Sequence, residues 1–228
     1  TLDRSSAASD VYKRQEVDSR RLRMLAYQLY TSGVVNGSEL ENLLVERSYI
    51  LDEIKMVAQM LLDSSDISGE VIDGIPEEWP LYLHARYSRT EILAAVGKHT
   101  DETRAQSREG LLRFAEQKIE LMFVTLDKSV GFHDDISYRD YAISPSKFHW
   151  ETQNSTRPGS VIGRQYLESP RNGWRYFLFV RRGPDDPYFA LGQAIQEQIS
   201  GASPMAIIWR LTQPMTIELF QKLSILRN

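Results

Sequence analysis

WRYFLFVR, residues 174–181, is a continuous aromatic and β-branched run without helical period, and it predicts a strand. Four more stretches read the same way: ELMFVTL at 120–126, YAISPSKFHW at 141–150 interrupted by Pro145, residues 188–199, and AIIWRL at 206–211. Five or more short strands with few helices between them favour a mostly antiparallel, curled sheet or a small β-barrel over a doubly wound parallel sheet. Upstream the period changes. Leu22, Leu25, Ala26 and Leu29, then Leu51, Ile54, Val57, Ala58, Leu61 and Leu62, recur at helical spacing. The fold class is therefore α+β, an N-terminal helical segment followed by the sheet.

Punctuation divides the chain. Ser38 and Glu41 have capping-box spacing after the turn-forming stretch GVVNGS at 33–38, and Ser88 and Glu91 repeat that spacing before Ile92, with Gly97 placed to end the helix. A Ser/Asp/Gly-rich linker covers 63–74, and Thr216 to Leu226 reads as a final amphipathic helix or tail. The expected division is an acidic helical coupler over 16–75 and a β-rich domain over 76–228. Ser5 to Gln15 (SSAASDVYKRQ) resembles an in-frame translation of a sequencing adapter. On that reading residues 1–15 are an artefact, coding sequence starts near Glu16, and the natural N-terminal part is missing.

Composition excludes several classes. At 42% apolar and 25% charged the chain is ordinarily globular. No apolar run reaches the roughly 18 residues a bilayer demands, and with zero cysteines the expected setting is the cytoplasm. The net charge of −4 hides an asymmetry: residues 16–80 hold five basic against thirteen acidic side chains, and residues 139–182 eight against three. A local basic surface matters more to a polyanion than the total does.

Known catalytic patterns are missing from the sequence. There is no P-loop GxxxxGK[ST], no His-x-Lys pair, no GxSxG elbow and no thiol. Glu116 and Lys118 form an ExK triplet of the kind metal nucleases use, a weak signal. His133-Asp134-Asp135 is the densest metal-like cluster, but adjacent side chains rarely converge on one ion. The reading is a chain with no catalytic residue, no metal and no cofactor.

What does stand out is Tyr138 to Asn154, where rings, amides and arginines interleave: Tyr138, Arg139, Tyr141, Phe148, Trp150, Gln153 and Asn154, extended by Arg157, Arg164, Arg171 and Arg175. Rings stack on any base, Gln and Asn address base edges, and Arg neutralises phosphate. The alternative is that alternate rings simply fill a core.

The stretches LYLHARYSRTEILAAVG (81–97), REGLLRFAEQKIELMFVTLDK (108–128), YRDYAISPSKFHWETQN (138–154) and SPMAIIWRL (203–211) together resemble the bacterial domain of unknown function 3427, over about Trp79 to Pro214. The resemblance implies a C-terminal domain of a superfamily II helicase-like ATPase, often joined to a phospholipase-D-like nuclease, some members being modification-dependent restriction enzymes. It implies double-stranded DNA as partner, modified cytosine being one candidate base, together with the upstream ATPase and nuclease domains. Within that picture Arg86, Arg89, Arg139, Arg157, Arg164 and Arg175 contact phosphates. Trp150, Tyr138 and Tyr141 stack on or cage an extruded base, and Gln153 and Asn154 read its edge. The segment EQISGA at 197–202 departs from the pattern, which has a more aromatic or histidine-bearing strand end there. A competing expectation is a protein-docking or autoinhibitory module, suggested by the acidic helices and the apolar tail.

Overall fold

The computed structural model describes residues 4–29, 37–64, 69–103, 110–126, 140–169 and 171–224. They divide into two compact units, one of residues 1–70, 76–81 and 87–106, the other of residues 71–75, 82–86 and 107–228.

The first unit is helical: α1 (Arg4–Leu29), α2 (Gly37–Glu46), α3 (Ser48–Ser64) and α4 (Arg89–Ala95). Position 16 falls inside α1. Ala26, Leu40 and Leu44 form a small core against which Leu22, Leu25, Ile50, Leu51 and Ile54 pack. α4 begins as its sequence demands. Ser88 accepts from the Glu91 amide while the Glu91 carboxylate accepts from the Ser88 amide at 2.7 Å, and Gly97 leaves the helix at φ 73°, a left-handed turn that suits glycine. The Arg20 guanidinium, on α1, donates to the Ala95 carbonyl at 2.9 Å, occupying an end group of α4 that has no intrahelical partner.

Ser38 does not cap α2. The helix starts at Gly37, and the carboxylate of Asp101 takes over the cap, accepting from Gly37 N (3.3 Å), Ser38 Oγ (2.8 Å) and Arg23 Nε (2.9 Å). Burial pushes the Asp101 carboxyl up, but the hydrogen bonds from Ser38 and Arg23 and the arginine charge outweigh it and hold it below its ordinary value.

The second unit carries the sheet. The strands are β1 (Arg86–Tyr87), of which Arg86 falls in this unit, β2 (Leu111–Phe114), β3 (Ile119–Thr125), β4 (Tyr141–Ser144), β5 (Lys147–Glu151), β6 (Arg175–Arg181), β7 (Tyr188–Ser200) and β8 (Ala206–Leu211). Their order is β2-β3-β6-β7-β8-β5-β4, with β1 pairing β7 off that path. Every pair along the path is antiparallel except β3 with β6. The path has two free ends, so the sheet is open and the barrel alternative is not realised.

WRYFLFVR sits next to the centre of this sheet. Tyr176 to Val180 are all buried, as are Ile119 to Val124 beside them, because strands covered on both faces carry apolar residues at every position. One face gathers Met122, Val124, Leu178, Val180, Ile207, Trp209, Phe148 and Trp150 into the main core. Tyr166 of α5 (Val161–Leu167) and Leu219 and Leu223 of α6 (Ile217–Leu223) join it. Ser160 and Thr216 are the respective N-caps. The tail anticipated from Thr216 onward is thus an amphipathic helix that docks on its own sheet.

Candidate nucleic-acid interface

The β4–β5 hairpin sorts the aromatic stretch by parity. Tyr141 pairs with His149 and Ala142 with Phe148, so successive side chains on β5 alternate between faces. Phe148 (0% exposed) and Trp150 (7%) point into the core, whereas His149 lies half-buried on the outer face with its ring stacked on Tyr141, centroids 4.9 Å apart at 16°. Trp150 is therefore not the stacking residue expected from the sequence. Its indole meets Tyr166 edge-on at 5.6 Å and Trp209 at 6.4 Å, and those contacts leave no ring face open to a base.

Beyond β5 the chain turns outward. Thr152 donates its amide to the Met205 carbonyl and accepts from the Met205 amide, both at 2.9 Å, and Ser203 Oγ donates to the Asn154 carbonyl at 2.8 Å. These backbone ties leave the side chains of Gln153, Asn154 and Arg157 exposed. Ser160 Oγ then donates to the Arg157 carbonyl at 2.7 Å and accepts from Gly163 N at 3.0 Å. Gly163 is obligatory, since a Cβ there would lie 1.9 Å from the Arg157 oxygen. That approach fixes the Arg157 backbone against the first turn of α5, whose Arg164 is exposed. Arg171 follows, also exposed. None of these three guanidiniums forms an ion pair with a described residue.

A buried polar network braces α5 from below. Glu120, in the middle of an apolar strand, has a side chain with 0% exposure. Arg113 Nε of β2 reaches its Oε2 at 2.5 Å, and the Tyr166 hydroxyl donates to Oε1. Arg113 also donates to Gln165 Oε1 at 2.6 Å and lies 5.2 Å from the centre of the Trp174 ring. Gln165 in turn donates to the Tyr176 hydroxyl at 3.2 Å, and its carbonyl accepts from Asn172 at 2.6 Å. Burial pushes the Tyr166 hydroxyl well above its ordinary value, reinforced by the Glu120 charge and hydrogen bond. Burial raises Tyr176 to about 12, with Gln165 opposing and Glu120 adding to the rise. Both phenols are thereby kept neutral, Tyr166 as a donor to Glu120 and Tyr176 as an acceptor from Gln165. The C-terminal end of α5 opens on a cleft of about 630 Å³ lined by Glu168, Ser169, Arg171, Asn172 and Gln196 among others.

The other expected contacts lie on other elements or outside the described residues. Arg175 is half-buried and gives its Nη1 to the Gly74 carbonyl at 2.5 Å. Arg86 is exposed on β1, and Arg89, which has interaction partners of its own, belongs to the helical unit. Tyr138 and Arg139 lie outside the described residues, as does His133-Asp134-Asp135. Glu116 and Lys118 sit in the exposed turn between β2 and β3, where the Lys118 ammonium donates to the Asn172 carbonyl at 3.1 Å. No group of three His, Cys, Asp or Glu that could hold a metal occurs among the described residues.

His149 and the Glu120 network are the residues that sequence reasoning missed. The signal for the first was parity between two buried rings, and for the last a carboxylate inside a run as apolar as ELMFVTL. A second cleft, about 420 Å³, opens on the outer sheet face between His149, Gln198, Ser200, Ala206 and Ile208.

A family model described as "Domain of unknown function (DUF3427)" matches residues 81–223. Among solved structures the chain is similar to the crystal structure of Arabidopsis thaliana SUVH6 in complex with SAM. The identity is 12% and the TM-score 0.44, over 92% of this chain and 41% of that one. No curated protein matches the chain in sequence. No described helix is long and apolar enough to cross a membrane.

Proposed function

The chain belongs to the family described as domain of unknown function 3427, and from that premise we propose that it serves as a DNA-recognition module without a catalytic centre. Its surface for DNA is the segment from Gln153 to Arg171. Exposed Arg157, Arg164 and Arg171 neutralise phosphates, and Gln153 and Asn154 address base edges, a modified cytosine being one candidate. In the full polypeptide such binding would license a helicase-type ATPase and an attached nuclease. One observation carries this reading: two amides and three arginines stand exposed on one short stretch, the guanidiniums without an acidic partner among the described residues, while Tyr166 and Gln165 of the intervening helix are held by the Glu120 network. Ordering the scaffold before binding lowers the entropy lost on association.

The test is a titration of methylated and plain duplex with the whole chain. Arg164→Ala is expected to weaken both equally, whereas Gln153→Ala with Asn154→Ala removes any preference between them. Equal effects of the two changes would refute the division of labour.

A second reading is favoured by a separate observation. Val45 of α2 and Tyr49, Met56, Val57, Met60, Leu61 and Leu62 of α3 are 56–73% exposed. A helix apolar around most of its circumference is ordinarily a covered one. This supports a protein-docking role for the helical unit. The C-terminal helix lends it less support, because Leu219, Phe220 and Leu223 pack on the main core and only Ile217 is left exposed.

A further inference from the structure

We infer that the outer-face cleft beside His149 holds one unpaired nucleotide, its base against the imidazole and its phosphate at Arg210. The inference rests on the DNA-binding reading above and adds a substrate class, a strand with an unstacked base, at a separate cleft whose residues that reading does not use.

The imidazole is held flat before any ligand arrives, because Tyr141 stacks on it at 4.9 Å and 16°. Ile208 and Ala206 supply apolar lining, and Gln198 and Ser200 bring an amide and a hydroxyl able to address a ring edge. At about 420 Å³ the cleft lies at the low end of the roughly 300–1,000 Å³ typical of small-ligand sites, which suits a single ring system. The register slips between Gln196 and Gln198, so that Gln198 comes opposite Ile208; bulges of this kind re-aim a side chain next to functional sites.

Charge is placed one step away. Arg210 follows Ile208 by two residues on β8 and so shares its face, roughly 7 Å along the strand. It is exposed and has no ion-pair partner among the described residues. Its cross-strand neighbour Lys147 is already matched to Glu197 at 2.8 Å, which leaves Arg210 to meet a phosphate. A base inside a duplex has both faces stacked and its edge paired, so only an unpaired one can enter a recess with a ring as its wall.

The experiment measures anisotropy of the whole chain with a labelled oligothymidine single strand and with a blunt mixed-sequence duplex, using thymidine monophosphate as competitor. His149→Ala and Arg210→Gln are each expected to weaken single-strand binding on the order of 10-fold while duplex affinity moves less than about 2-fold. Displacement by the monophosphate identifies the free nucleotide as a ligand; no displacement, with the His149 effect intact, identifies the strand. Ile208→Gln, at an outward position, gives an independent variant, and circular dichroism confirms that each folds. Unchanged single-strand affinity in folded variants, with Arg157→Ala still weakening both DNAs, overturns this inference alone. Failure of the native chain to bind either DNA overturns the DNA-binding reading as well.

Discussion

Arg113→Met tests whether the Glu120 network is a structural brace. The Glu120 side chain has no exposure, and its two oxygens meet Arg113 at 2.5 Å and the Tyr166 hydroxyl. Methionine keeps much of the stem that packs near Trp174 but removes the charge, leaving a carboxylate in the core with one neutral donor. Breaking a buried pair from one side costs about 3–5 kcal/mol, whereas an exposed pair is worth about 0–1 kcal/mol. Arg113 itself is 29% exposed, which lets water relieve part of the loss, so the lower end, about 3 kcal/mol, is expected. Urea unfolding followed by tryptophan fluorescence reads it directly, since Trp150, Trp174 and Trp209 all lie in or against the main core. The double change Arg113→Met with Glu120→Gln should recover at least half of the loss, because no bare charge then remains. A single-variant cost below about 1 kcal/mol, or a double variant no better than the single, would refute the reasoning.

Other outcomes follow from the same geometry. Trp150→Ala is expected to cost about 3–5 kcal/mol as a core truncation, while Arg157→Ala changes stability by less than about 0.5 kcal/mol; the same urea assay separates them. Asp101→Ala removes the cap shared by Gly37, Ser38 and Arg23 and should cost about 1–2 kcal/mol, seen as loss of helical ellipticity on mild heating. With its carboxyl held below the ordinary value, Asp101 contributes stability above the unfolded pKa of 3.8, and that contribution is lost as pH falls through the lower folded value. Tyr176 has the opposite sign. Raised from 10 to about 12, it stabilises fully below pH 10 and loses that contribution as pH climbs through 12, so phenolate absorbance and unfolding should rise together in that window, and Tyr176→Phe should remove its share.

How far the sequence foretold this depends on how local each determinant is. Strands written as unbroken apolar runs were legible, as was the cap at Ser88, whose partner Glu91 lies three residues away. Ser38 was not, because the carboxylate serving the start of α2 comes from Asp101, 63 residues away. Trp150 was misread for a related reason. Its ring type suggested stacking, but which face it occupies depends on the hairpin turn at Pro145-Ser146, which sets Tyr141 opposite His149. The Glu120 network draws on β2, β3, α5 and β6; the carboxylate inside an apolar run marks its centre, but no sequence spacing gives its partners. Gln153, Asn154 and Arg157 are exposed, as polar residues after a strand ordinarily are.

The most direct test of the central claim is the salt dependence of duplex binding by the whole chain and by its Arg157→Ala and Arg164→Ala variants. If these guanidiniums meet phosphate, each variant lowers the slope of log K against log salt by about 0.9 and weakens binding whatever the sequence of the duplex. Slopes identical to that of the native chain, in variants of unchanged stability, would place the DNA elsewhere or nowhere on this surface.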